Sequence, residues 1–175
     1  MTGDLLVQNA MMVLPSRIVE GDLRVSNGSI KTIAAQGGLV PKPNELVIDG
    51  TGLHLLPGAI DPHVHFRDPG NPEKEDLESG SRAAAAGGIT AFLDMPNTVP
   101  NATKLTVLQD KYRRAAKKSV THSGFFIGAT TTNLDDLIDA VGTPQKPNNS
   151  GVCGIKIFMG SSTGDLLVHE QKHLE

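Results

Sequence analysis

The sequence predicts an α/β fold, an incomplete (β/α)8 TIM-type barrel made of its first four β-α units and preceded by a small β-rich sandwich segment. Three observations carry that expectation. Up to residue 57 the apolar segments are short and separated by turn residues, with no helical period. From Leu55 onward, apolar runs of strand length alternate with longer Ala-, Lys- and Glu-rich stretches. The strand-like runs recur about every 30 residues, the separation that parallel strands joined by helical crossovers require. A closed barrel needs about 250 residues, and the 175-residue chain leaves room after position 57 for about four such units. The expected domains are therefore a β-rich segment over 1–57 and the first half of a barrel over 58–175. The last helical stretch runs into Leu174 and Glu175 without a capping residue, so the barrel reads as cut.

In order, the first segment predicts strands over 4–8, 11–14, 22–26, 29–34 and 45–48. Asn27-Gly28 between Leu23-Arg24-Val25 and Ile30-Lys31-Thr32-Ile33 predicts a two-residue hairpin, because a type I′ turn needs two positive φ angles and these residues accept them. Gly37-Gly38 and residues 41–44 mark a loop. The second segment predicts a buried strand over 58–65 and a helix over 72–86, with Pro72 near its start and Gly87-Gly88 at its end. A strand over 89–94, a helix over about 104–118, a strand over 121–127, a helix over 134–141 and a strand over 152–158 follow. A fourth helix is expected to begin near Asp165.

Composition excludes several function classes. Lys plus Arg number 16 and Asp plus Glu 19, a net charge of −3, which leaves no cationic surface for a nucleic-acid backbone. The lone Cys153 cannot form an internal disulfide, so a cytoplasmic location is the expectation. Residues 1–13 carry Asp4, lack a basic leader and contain no run of about 18 apolar residues, the pattern of neither a secreted nor a membrane-spanning start.

Three short segments carry chemistry. In Asp61-Pro62-His63-Val64-His65-Phe66-Arg67-Asp68-Pro69-Gly70, at the end of the first barrel-type strand, His63 and His65 are two apart and so point to one side. Two neutral imidazoles on one face suit a divalent metal such as zinc, although an H-x-H pair by itself also fits two ordinary strand histidines. In Gly154-Ile155-Lys156-Ile157-Phe158-Met159-Gly160-Ser161-Ser162-Thr163-Gly164, Lys156 interrupts an apolar strand. Burial would depress its pKa and free an amine able to take up CO2 as a carbamate, an anionic ligand with two oxygens; pairing with a carboxylate or reaching solvent is the plainer alternative. Asp94-Met95-Pro96-Asn97-Thr98 follows the second barrel-type strand and by itself is turn chemistry. Arg67, two positions after His65, brings a planar fork suited to a carboxylate.

These segments, in this order and at these strands, resemble the dihydroorotase branch of the amidohydrolase superfamily, over almost the whole chain. The resemblance implies that His63 and His65 bind one zinc, that Lys156 is carboxylated and bridges two zincs, and that Arg67 and Asn97 hold the α-carboxylate of a small-molecule substrate. It implies the reversible interconversion of L-dihydroorotate and N-carbamoyl-L-aspartate in pyrimidine synthesis. It also calls for two more His ligands on later strands and an Asp that shuttles the proton, all beyond Glu175. The 175-residue chain alone is therefore expected to be inactive, with no catalytic base of its own.

Arg67 favours this branch over hydantoinases (dihydropyrimidinases) and allantoinases, whose ring substrates lack that carboxylate. Those activities stay open, as does a scaffold that has lost its metals. No nucleic-acid or membrane partner is expected, and a homo-oligomer is compatible with the sequence. His169-Glu170-Gln171-Lys172-His173 spells the H-E-x-x-H zinc-peptidase pattern, but no third ligand follows, and a solvated helix face is the preferred reading. Gly160–Gly164 lacks the Gly-Lys-Ser/Thr ending of a phosphate loop and reads as a loop into the next helix. Asp135, Asp136 and Asp139 read as a polar helix face.

Overall fold

The computed structural model describes residues 3–148, 150–161 and 164–174, and the chain divides into two compact units, Met1–Pro57 and Gly58–Glu175. In the first unit, β1 (Leu5–Leu14), β2 (Arg17–Ser26), β3 (Ser29–Ala35), β4 (Leu46–Asp49) and β5 (His54–Leu55) form one sheet in the order β3-β2-β1-β4, with β5 also on β1. The meander β1-β2-β3 is antiparallel, whereas β4 and β5 run parallel to β1. Asn27 and Gly28 turn β2 into β3 with φ of 51° and 72°, as the hairpin signal requires.

The strands expected over 4–8 and 11–14 are one strand. Its register shifts between Val7 and Ala10, where Asn9 has a φ of 58°. The Asn9 N–H donates to the buried carboxylate of Asp22, whose other oxygen accepts from the Leu39 N–H, both at 3.0 Å. That carboxylate satisfies the backbone donor the irregularity frees, so the strand continues through it.

The second unit begins with β6 (Ala59–Val64), α1 (Leu77–Ala86), β7 (Ile89–Asp94), α2 (Leu105–Lys118), β8 (His122–Gly128) and α3 (Leu134–Val141). After these come a small antiparallel hairpin of β9 (Gly142–Thr143) and β10 (Lys146–Pro147), then β11 (Gly154–Lys156) and α4 (Gln171–Leu174). The strands β6, β7, β8 and β11 are parallel neighbours in that order. All three longer helices pack on one side of this sheet, where Leu77, Leu108, Ala115, Leu137 and Ala140 share a core with Phe66, Phe92, Phe125 and Ile127. Among the described residues no helix is long and apolar enough to cross a membrane.

Several elements differ from expectation. Helix α1 starts at Leu77 and not near Pro72, because Asp76 and Ser79 form a reciprocal capping box, with Ser79 N–H donating to Asp76 Oδ1 at 2.8 Å. Strand β11 is three residues long where seven were expected. Its neighbour β8 ends at Gly128, opposite Lys156, so no ladder remains beyond that point. Only a single 3-10 turn, Gly164–Leu166, lies where the fourth helix was expected, and α4 is one turn further on. His169 and Glu170 precede α4, so the H-E-x-x-H residues do not share a helix face, and the zincin geometry is not formed. Asp135 and Asp139 are exposed and Asp136 half-buried, as a polar face requires; Ser162 and Thr163 lie outside the described residues.

Candidate active site

The pleat decides which side chains share a face. Val64, Asp94 and Phe125 stand opposite one another across β6, β7 and β8. Phe125 is buried in the core beneath the helices, so this row points to the helix side. Successive residues alternate, which turns His63 and His65 to the opposite side. Lys156 pairs with Gly128, one residue past the helix-facing Ile127, and therefore shares the histidines' side. All three stand at the carboxyl ends of their strands, where barrel enzymes assemble their sites.

The two imidazoles are neighbours, with ring centroids 5.2 Å apart and planes inclined at 51°. His65 Nδ1 lies 2.7 Å from Asn97 Oδ1. A carbonyl oxygen can only accept, so Nδ1 is the donor in this contact, and Nε2 is the nitrogen that a neutral imidazole held this way has left for a metal. Arg67 Nη1 donates to the backbone carbonyl of Asn97 at 3.4 Å. Thus His63, His65, Arg67 and Asn97 come together across β6 and β7.

Lys156 does not join that contact cluster. Two strands, β7 and β8, separate β11 from β6, a path of about 14 Å along the sheet at the usual strand spacing. The Lys156 ammonium rests 5.0 Å over the Phe158 ring. The side chain is half-buried and not buried as the apolar run suggested, with Ile155 and Ile157 around it 42% and 43% exposed. The reason is topological, since β11 is an edge strand with β8 on one side only. Among the described residues no group of three His, Cys, Asp or Glu side chains is arranged to hold a metal.

Beneath the site lies a polar layer that residue spacing did not single out. The Asp94 side chain, 1% exposed, receives the Lys111 ammonium at 2.7 Å, and the lysine side chain is fully buried. Desolvation holds the Lys111 pKa below the usual lysine range, against the opposing pull of the Asp94 charge. The signal for it was Lys111 itself, which falls on the Leu108-Lys111-Ala115 stripe of α2 where an apolar residue belongs. Asp68 is also buried, at 2% exposure. It is paired with Lys118 at 2.6 Å and Arg114 at 3.5 Å, which ties the loop after β6 to α2. The carboxylate raises the Lys118 pKa through that hydrogen bond.

Residues 52–156 match the family model described as dihydro-orotase-like. An allantoinase from Deinococcus radiodurans is 37% identical over 163 residues, covering 93% of this chain and 34% of that protein. A dihydroorotase from Methanosarcina acetivorans is 34% identical over 169 residues, 96% of this chain and 34% of its own length. A dihydroorotase from Aquifex aeolicus reaches 49% identity over 106 residues, 59% of this chain and 24% of that protein. Among solved structures, an L-hydantoinase (dihydropyrimidinase) from Arthrobacter aurescens superposes with a TM-score of 0.85 at 27% identity, over 98% of this chain and 37% of its own. The chain thus spans about a third of the length of these relatives. Its matched region carries the paired histidines, Arg67, Asn97 and Lys156, and the chain belongs to the dihydro-orotase-like family of amidohydrolases.

Proposed function

We propose that this chain contributes the first four strands of a (β/α)8 barrel and part of a binuclear zinc site of a cyclic-amide hydrolase, a dihydroorotase. The observation that carries the reading is the His63, His65, Arg67 and Asn97 cluster at the ends of β6 and β7. Two imidazoles on one face, one of them oriented through its Nδ1 by Asn97, are a donor set that fits zinc. In a bound state the metals would supply Lewis acidity toward the ring carbonyl and a water ionised near neutral pH.

The chain's own residues do the rest of what it contributes. His63 and His65 would hold one cation. Lys156 Nζ would add to CO2 as its free amine to give a carbamate with release of one proton, an anionic group that could serve as a metal ligand. Curling of the sheet has to shorten the separation between Lys156 and the imidazoles, as barrel closure does for inward-facing side chains. Arg67 offers a bidentate fork to a substrate carboxylate. Asn97 spends its carbonyl on His65, which leaves its two amide hydrogens for the same carboxylate. These contacts supply metal and substrate donors and not a general base.

The experiment is calorimetric titration of the zinc-loaded chain with dihydroorotate, N-carbamoyl-aspartate, allantoin and hydantoin. The carboxylate-bearing pair should bind preferentially, and Arg67→Met should abolish the preference. Equal or tighter binding of allantoin would favour an allantoinase, the activity named for the Deinococcus relative. Absence of any metal uptake would favour a scaffold.

A further inference from the structure

We infer that Asp94 and Lys111 form a buried clamp that sets the position of His65 and Arg67 against Asn97, and that both are positioning residues for the candidate site. The inference rests on the metal and substrate reading above. It begins from an oddity of placement. An ion pair this deeply buried loses its hydration, and apolar residues of similar size serve stability as well or better. Its connections show what it does instead.

Asp94 Oδ1 accepts the Phe66 N–H at 3.0 Å, and Phe66 lies between His65 and Arg67. The Lys111 ammonium, besides meeting Asp94, donates to the Met95 carbonyl at 2.9 Å, two residues before Asn97. The Met95 N–H donates in turn to the Val64 carbonyl at 3.0 Å. Asp94 therefore ties together the two backbone segments on which His65, Arg67 and Asn97 ride, from the side opposite to the one they face, and the buried ammonium holds that carboxylate and the Met95 carbonyl in place.

The segment it restrains needs restraint. Arg67 has a φ of 20°, a conformation an arginine does not hold by itself and that the surroundings must impose. Phe66 is seated on the same side, its ring 4.6 Å from that of Phe92. Asp94 fixes the backbone of this hinge point and the ring fixes its side chain. The 2.7 Å contact between His65 and Asn97 then follows from two rigid strand ends and not from a flexible search.

The test compares the 175-residue chain with Asp94→Leu/Lys111→Met and Asp94→Asn/Lys111→Met, avoiding single variants that leave one buried charge unpaired. Both doubles remove the charges; only the second retains an acceptor for the Phe66 N–H. The readouts are the thermal midpoint, the imidazole 15N shifts of His65 in the metal-free chain, and zinc affinity by competition with a chelator. The leucine double variant, which orphans the Phe66 N–H, should melt below the asparagine double variant, lose the Nδ1-protonated signature of His65 and bind zinc about 10- to 100-fold more weakly. The asparagine double variant should recover the signature and most of the affinity. A leucine double variant that still unfolds cooperatively and keeps an unchanged His65 spectrum overturns the clamp. Wild-type chain that shows the signature but binds no zinc leaves the clamp standing and overturns the metal reading.

Discussion

Gly80→Ala tests how firmly the helix beneath the site holds the segment above it. Gly80 is buried in α1, and a Cβ there would come within 2.7, 2.8 and 2.9 Å of Phe66 Cε1, Cδ1 and Cζ. Carbon atoms prefer about 3.5–4.0 Å, so ring and helix must separate by about 1 Å. The ring has little room to retreat, since Phe92 packs against it and only 9% of Phe66 is exposed. Overpacking of this kind costs about 1–3 kcal/mol, while replacing a mid-helix glycine with alanine returns about 1 kcal/mol. The expected net is a loss of about 1 kcal/mol, seen as a fall of roughly 4 °C in the thermal midpoint for a unit of this size. Because Phe66 separates His65 from Arg67, the His65 imidazole resonances should shift in the same sample. Adding Phe66→Leu should recover part of the stability by removing the overlap. If Gly80→Ala instead raises the midpoint with the His65 signals in place, the wedge between helix and ring is wrong.

Three further outcomes follow from the same packing. Asp76→Ala should remove the cap of α1 and cost about 1 kcal/mol in chemical denaturation. Hydrogen bonds from the backbone and hydroxyl of Ser79 hold the Asp76 carboxyl below its ordinary range. Its contribution is therefore complete above the unfolded pKa of about 4 and lost as pH falls through the lower folded value, so wild type and variant should converge in stability at low pH. Leu108→Ala, at a fully buried position under the sheet, should cost about 2–5 kcal/mol in urea unfolding. Lys111→Met by itself leaves the Asp94 carboxylate buried without its cation and should cost about 3–5 kcal/mol, more than the Asp94→Asn/Lys111→Met double variant loses in the same melt.

Much of the architecture was legible because it is written in short periods. Alternation of apolar runs marked β7, β8 and α3 to within a residue or two, and Asn27-Gly28 marked its hairpin because the turn's φ angles admit few residue types. The two-residue spacing of His63 and His65 placed both imidazoles on one face, since the strand's pleat has that same period. Illegible were features that depend on what lies alongside. Strand β1 continues past Asn9 because Asp22, 13 residues away, accepts its N–H. Strand β11 stops at Lys156 because β8 has ended beside it, and for want of a second neighbour Lys156 is only half-buried.

By itself, then, the sequence determined the order of elements and the kinds of side chain delivered to the strand ends, because both follow from spacings of a few residues along the backbone. The tertiary structure decided which of those side chains meet. Asn97 reaches His65 across 32 positions and Asp94 reaches the Phe66 N–H across 28. Such contacts exist only once β6 and β7 lie in register with α2 packed beneath them. No local period encodes that register, which is set by burying Phe66, Phe92 and Phe125 in one core.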